Sequence, residues 1–117
     1  MRFESRELKP YAEPISDAEL VEGRVYFFVN FVDDAMLIPV MIPQVFVGMN
    51  LEKGDIKQVY FQDIDSYNSG VRYHSAKGRE NAVFESGSKN EIGHIFDYEH
   101  ALEVLMACSL RRRKNNV

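Results

Sequence analysis

Cysteine is almost missing from this chain and tryptophan is absent. The single thiol, Cys108, cannot close an internal disulfide, and nothing in the cysteine usage points to an oxidising compartment. The first ten residues, MRFESRELKP, contain no apolar segment, so a secretory signal is not expected. The most apolar region, residues 25–49, is interrupted by Asn30, Asp33 and Asp34 and carries Pro39 and Pro43. It falls short of the roughly 18 uninterrupted apolar residues that a membrane helix needs. These absences lead to the expectation of a cytoplasmic protein without a membrane segment.

Motifs that bind phosphate or activate a nucleophile are missing too. There is no G-x-x-x-x-G-K-[ST] loop and no G-x-S-x-G elbow. Positive charge is scarce outside one place. Residues 1–110 carry ten basic and eighteen acidic side chains, a balance of −8, and the run 111–114 (RRRK) returns +4. Phosphate binding wants a broad basic face, so this balance argues against nucleic acid as the principal partner. RRRK is left as a weak alternative contact, because a helix end also attracts cations through its dipole.

What is present reads as one domain of 117 residues, large enough for a core without disulfide staples. Residues 1–15, with Pro10 and Pro14, read as an extended arm. Ser16 and Glu19 have capping-box spacing, which predicts a helical turn over 17–22 that Gly23 stops. RVYFFVNFV (24–32) is the strongest strand, and both of its faces are apolar, which calls for cover on two sides. Asp33-Asp34 predicts a turn into a second strand, 35–40, where Pro39 marks an edge or bulge. Further strands are expected at 44–49, 57–64, 71–75, 82–86 and 91–96, the last two pairing as a hairpin. From Asp97, a good helix N-cap, the period changes. Tyr98, Ala101, Leu102, Leu105 and Cys108 predict an amphipathic helix over 97–113, with 114–117 as a tail. The expected architecture is mainly β (α+β): six or seven short antiparallel strands in a bent sheet or small barrel over 16–96, closed by one C-terminal helix.

The richest polar stretch is DIDSYNSGVRYH (63–74). As a calcium loop it fails at three positions, with Tyr67, Asn68 and His74 where an oxygen donor, glycine and an acid belong. His74, His94 and His100 match no compact metal motif, so no metal and no cofactor are expected. On a continuous strand Asp63 and Asp65 would share a face about 6.6–6.8 Å apart, a spacing open to acid–base chemistry. With a return strand at 71–75, Asp63, Asp65, Tyr67, Arg72, Tyr73 and His74 form a candidate binding cluster. Its alternative is a plain strand end and turn, made of the residues turns use. Cys108 lies about 12 Å from His100 along the helix, too far for a Cys–His pair.

The apolar surplus in 25–49 gives the second candidate. Phe28, Val32, Met36, Ile38 and Met41 are expected to form a partner surface, for another protein or for a second copy of the chain, with the alternative that all of them belong to the chain's own core. The leading functional expectation is therefore a small acidic, non-enzymatic binding domain. An inhibitor or immunity-type protein, steered by its charge to a basic partner, is one concrete form. A small-molecule binder or enzyme built on Asp63, Asp65 and His74 is the alternative.

Overall fold

The computed structural model describes residues 19–75, 79–88, 91 and 94–115. The arm at 1–15 and the cap at Ser16 lie outside the described residues. Five strands form one antiparallel sheet: β1 (Val25–Phe31), β2 (Pro39–Met49), β3 (Val59–Gln62), β4 (Phe84–Gly87) and β5 (Ile95–Phe96), in the order β4-β3-β2-β1-β5. A short helix, α1 (Ile64–Asn68), follows β3, a single 3-10 turn spans Arg79–Asn81, and α2 (Tyr98–Lys114) ends the described chain.

The sheet is not closed into a barrel, and among the described residues five strands stand in place of the expected six or seven. Two local causes lower the strand count, and a third changes the pairing. First, the segments at 35–40 and 44–49 merge into the eleven-residue β2, which runs through both Pro39 and Pro43. The bonds Val32 N–H to Ile38 O and Phe46 N–H to Arg24 O show that even-numbered residues of β2 face the β1 ladder. Both prolines are odd-numbered, so each missing N–H falls on the side away from β1. β3 pairs with β2 only from Val45 onward, so among the described residues that side is open at 39–43 and neither proline costs a ladder bond.

Second, residues 71–75 form a turn and no strand, with Ser75 N–H donating to Arg72 O. Third, the expected hairpin of 82–86 with 91–96 does not form. β4 pairs with β3 and β5 with β1, on opposite edges of the sheet. The β1 edge outcompetes the local partner because Phe27↔Phe96 and Phe28↔Ile95 bury both β5 side chains.

Because side chains alternate, each strand serves two faces. On one face Tyr26, Phe28, Phe46, Val59, Phe61 and Ile95 make the larger core, with Leu20 packed against it. Phe61 is fully buried and meets Phe28 and Phe46 ring to ring at 4.8 and 5.5 Å. On the other face Val29, Phe96 and Ala101 form a second cluster, joined by Phe27, Met41 and Val104. This is where α2 docks. Its inward stripe is the buried Ala101 and Cys108 with the half-buried Val104 between them, whereas Tyr98, Leu102 and Leu105 of the expected apolar face stand exposed beside it.

The basic end of α2 fastens the β1–β2 turn. Arg111 Nε and Nη2 donate to Met36 O at 3.0 and 2.9 Å, and Arg112 Nη1 donates to Leu37 O at 2.9 Å. The Cys108 thiol points at the same two carbonyls, 3.6 and 3.5 Å away. From the other side Asp33 accepts the Leu37 and Ile38 N–H groups, which holds its carboxyl below the ordinary carboxylate pKa. Met36 sits between these clamps with φ of 58°, a left-handed conformation that a β-branched residue would adopt only with strain.

Two substitutions test this packing by chemical denaturation. Phe61→Ala is expected to cost about 3–5 kcal/mol, through a cavity where three rings meet. Arg111→Ala is expected to cost about 1 kcal/mol and to speed hydrogen exchange at Leu37 and Ile38, the amides of the clamped turn.

Candidate functional site

The polar stretch at 63–74 resolves into two separate constructions. Asp63 ends β3 with extended backbone and caps α1. One carboxylate oxygen accepts Ser66 Oγ–H at 2.6 Å and Val83 N–H at 2.8 Å, and the other accepts Ser66 N–H at 3.0 Å. The Ser66 hydroxyl bond, followed by the backbone bonds, keeps the Asp63 carboxyl below the ordinary carboxylate pKa although partial burial opposes this. Asp65 is exposed on α1. The two acids therefore do not share a strand face, and the carboxylate pair expected from the sequence is not assembled. Asp63 with Ser66 three residues on is an N-cap spacing, the local signal that β3 stops here.

Beneath the cap Gln62 is fully buried, and its amide donates to Ser66 Oγ at 2.8 Å and Val71 O at 2.9 Å, tying the loop to the strand. Arg72 folds over the Tyr67 ring at 3.9 Å and donates to Tyr67 O and Val71 O. The Tyr67 hydroxyl reaches Gly23, where a Cβ would stand 3.2 Å from it on backbone already at φ of 88°. Asp63, Tyr67 and Arg72 are thus engaged in building the turn.

Tyr73 and His74 belong to a different group. Tyr73 packs edge-on against Tyr60, Phe84 and His74, with ring centroids 5.1–5.2 Å apart, and its hydroxyl donates to Glu52 at 2.5 Å. Tyr60 donates to Asp55, and that bond, aided by burial, pushes the Tyr60 pKa up to about 12. Glu52, Asp55 and Tyr60 come from the β2–β3 connection and β3, before the motif in sequence, and the fold brings Glu52 and Tyr60 against Tyr73. The rings close on each other and leave the acids as hydrogen-bond acceptors.

A cleft of about 370 Å³ opens elsewhere, between the start of β1 and the first turn of α2. Its lining includes Glu19, Arg24, Asp97 and Glu99. Asp97 already caps α2: burial disfavours its charge, but the His100 N–H at 2.9 Å and ring Nδ1 at 2.7 Å outweigh this and lower its pKa. None of the candidate residues from the sequence lines this cleft. Among the described residues no three His, Cys, Asp or Glu side chains gather as a metal-ligand set, and no helix is long and apolar enough to cross a membrane.

The partner-surface residues divide differently from expectation. Phe28 is buried in the larger core and Met41 packs against the α2 side of the sheet. Val32, Ile38 and Met36 are exposed, at 66%, 50% and 46%. Two residues overlooked in the sequence join them, Val40 at 38% and Ile42 at 43%. Their alternation was readable once β2 is taken as one strand: Ile38, Val40 and Ile42 share the face of Val32 and Asn30, across the register Asn30↔Val40 and Phe28↔Ile42. The outcome is a run of exposed aliphatic residues on one face at the distal end of the β1–β2 pair, opposite α2, with the exposed Asn30 among them and no ionisable residue among the described β1 and β2 positions of that face from Asn30 to Val32 and from Ile38 to Ile42.

Comparison with protein-family models, with curated proteins and with solved structures finds no match.

The Asp63 cap gives a pH-dependent outcome. Asp63→Ala is expected to cost about 1–2 kcal/mol at neutral pH, within the range for lost N-caps. The carboxyl is lowered in the folded chain, so its contribution is present above the unfolded value of 3.8 and disappears as pH falls through the lower folded value. Denaturant midpoints of the two proteins should therefore converge in strong acid.

Proposed function

We propose that this chain is a small acidic interaction domain that acts by binding a protein surface, its own or another's, through the outer face of the β1–β2 pair. The observation that carries this reading is the row Val32, Ile38, Val40 and Ile42. These aliphatic residues lie side by side on a regular sheet and stay exposed while the neighbouring positions Phe28 and Phe46 are buried. Single exposed apolar residues are ordinary, but a contiguous patch with no charge in it marks a contact surface. The turn at its tip is held by Asp33, Arg111 and Arg112, so the surface is rigid before it binds and little ordering entropy opposes docking.

The same clamp bears on the nucleic-acid alternative. Arg111 and Arg112 are engaged with the turn carbonyls, leaving Arg113 and Lys114 as the exposed cations of the run. A ligand site built on Asp63, Asp65 and His74 has less support, since the Asp63 oxygens are engaged by Ser66 and Val83.

A photo-crosslinking side chain placed at Val40, compared with one at Glu85, tests the interaction reading. Glu85 lies on the same face of the sheet and is exposed, but stands outside the patch. Crosslinking to protein in cells should be at least tenfold greater from position 40, and Val40→Lys should keep the fold within about 1 kcal/mol. Equal yields from the two positions would contradict the proposal.

A further inference from the structure

We infer that the occupant of this surface is a second copy of the same chain, docked face to face about a two-fold axis passing near Asn30. This rests on the reading of the β1–β2 face as an interaction surface and goes further by naming what it binds.

Three observations select a second copy. The first is the single polar group. Asn30 stands among Val32, Ile38, Val40 and Ile42, directly opposite Val40 in the ladder. A carboxamide carries both a donor and an acceptor, so its simplest complement is another carboxamide in reversed orientation. A two-fold axis beside Asn30 supplies that partner automatically, whereas an apolar partner would leave the amide unsatisfied.

The second is charge. Among the described residues, Asn30, Val32, Ile38, Val40 and Ile42 of this face include no ionisable side chain, so they have nothing with which to select a basic or an acidic protein. The rest of the chain is acidic, with a net charge of −4. Steering of a basic partner would place that charge at the contact, and here it is kept outside.

The third is the neighbouring edge. Among the described residues no strand pairs with segment 39–43 on the side away from β1, the position from which sheets extend from chain to chain. Pro39 and Pro43 remove two of the three outward N–H groups there, leaving Met41 alone. Association through that edge is blocked, and the face beside it remains. An isologous contact through the face closes at two copies and does not propagate.

The size of the patch sets the strength. Ile38, Val40 and Ile42 span about 14 Å of strand. Asn30, Val32, Ile38, Val40 and Ile42, five partly exposed side chains, fall in the range of the largest patch on an ordinary monomer, roughly 300–600 Å², and below the roughly 800 Å² per partner of a standard stable interface. The dimer is therefore reversible and concentration-dependent.

Sedimentation equilibrium of the full chain, over micromolar to millimolar concentration at two salt levels, tests this. The weight-average mass should rise from 13.5 kDa toward twice that value. Association should strengthen several-fold between about 50 mM and 500 mM salt, because salt screens the repulsion of two like-charged bodies. Asn30→Asp puts two carboxylates beside the axis without changing side-chain size. It should weaken association at least tenfold at pH 7 and regain it as pH falls below the ordinary carboxylate range, while Glu85→Gln leaves association unchanged. A mass that stays at 13.5 kDa throughout overturns the inference, as does association unaffected by Asn30→Asp. If crosslinks from position 40 then lead to a different protein, the interaction reading stands and only the second copy fails. If no crosslinks form, both fail.

Discussion

β1 is apolar on both of its faces, and the described chain supplies one long helix to cover them. This mismatch governs the rest of the architecture. α2 takes the face of Phe27 and Val29, where Phe96, Ala101 and Val104 complete a cluster. The opposite face is filled at its proximal end by Phe46, Phe61, Ile95 and Leu20 around Tyr26 and Phe28. Beyond Phe28 that filling stops, while β1 and β2 continue for several more residues. The hydrophobic effect rewards removal of aliphatic surface from water wherever cover exists, so an aliphatic face left open on a rigid ladder is available for association.

Rigidity comes from the way the turn between β1 and β2 is held. A distal hairpin of a sheet usually frays, because its tip has few contacts. Here Asp33 accepts the amides from one side, and Arg111, Arg112 and Cys108 approach the carbonyls from the other. The basic run that resembled a phosphate-binding tail thereby has a structural role. Cations at the C-terminal end of a helix are favoured by its dipole, and this helix end delivers them to two carbonyls of a turn. The clamp joins the last turn of α2 to a loop more than seventy residues earlier, so the helix that covers one face also stiffens the exposed face behind it.

Much of this was legible in the residues. The density of β-branched and aromatic side chains located β1, the period change at Asp97 located α2, and Pro39 marked an open edge. Single-residue patterns could not say which strands would meet. The proposed hairpin of 82–86 with 91–96 satisfied every local rule, yet β5 joined β1, because burying Ile95 and Phe96 in two existing clusters outweighs a short loop. The strand through Asp63 failed for a local reason that was present in the sequence, the spacing of Asp63 and Ser66 that caps α1. At the candidate site, Tyr73 and His74 are chain neighbours whose rings meet edge-on, but Glu52, Tyr60 and, through Tyr60, Asp55 reach Tyr73 only through the fold. Val40 and Ile42 went unnoticed because Pro39 and Pro43 suggested a broken strand. Once both prolines are seen to point at the open side, the alternation of the exposed face follows.

The openness of that face is the point on which everything else turns, and methyl relaxation by a soluble paramagnetic agent measures it directly. In dilute protein the methyl groups of Val32, Ile38, Val40 and Ile42 should relax strongly, while those of Val29 and Val45, buried on the other face, stay protected. Protection of the four exposed residues equal to that of Val29 and Val45 in dilute solution would show that the chain covers this face itself, and would contradict the account.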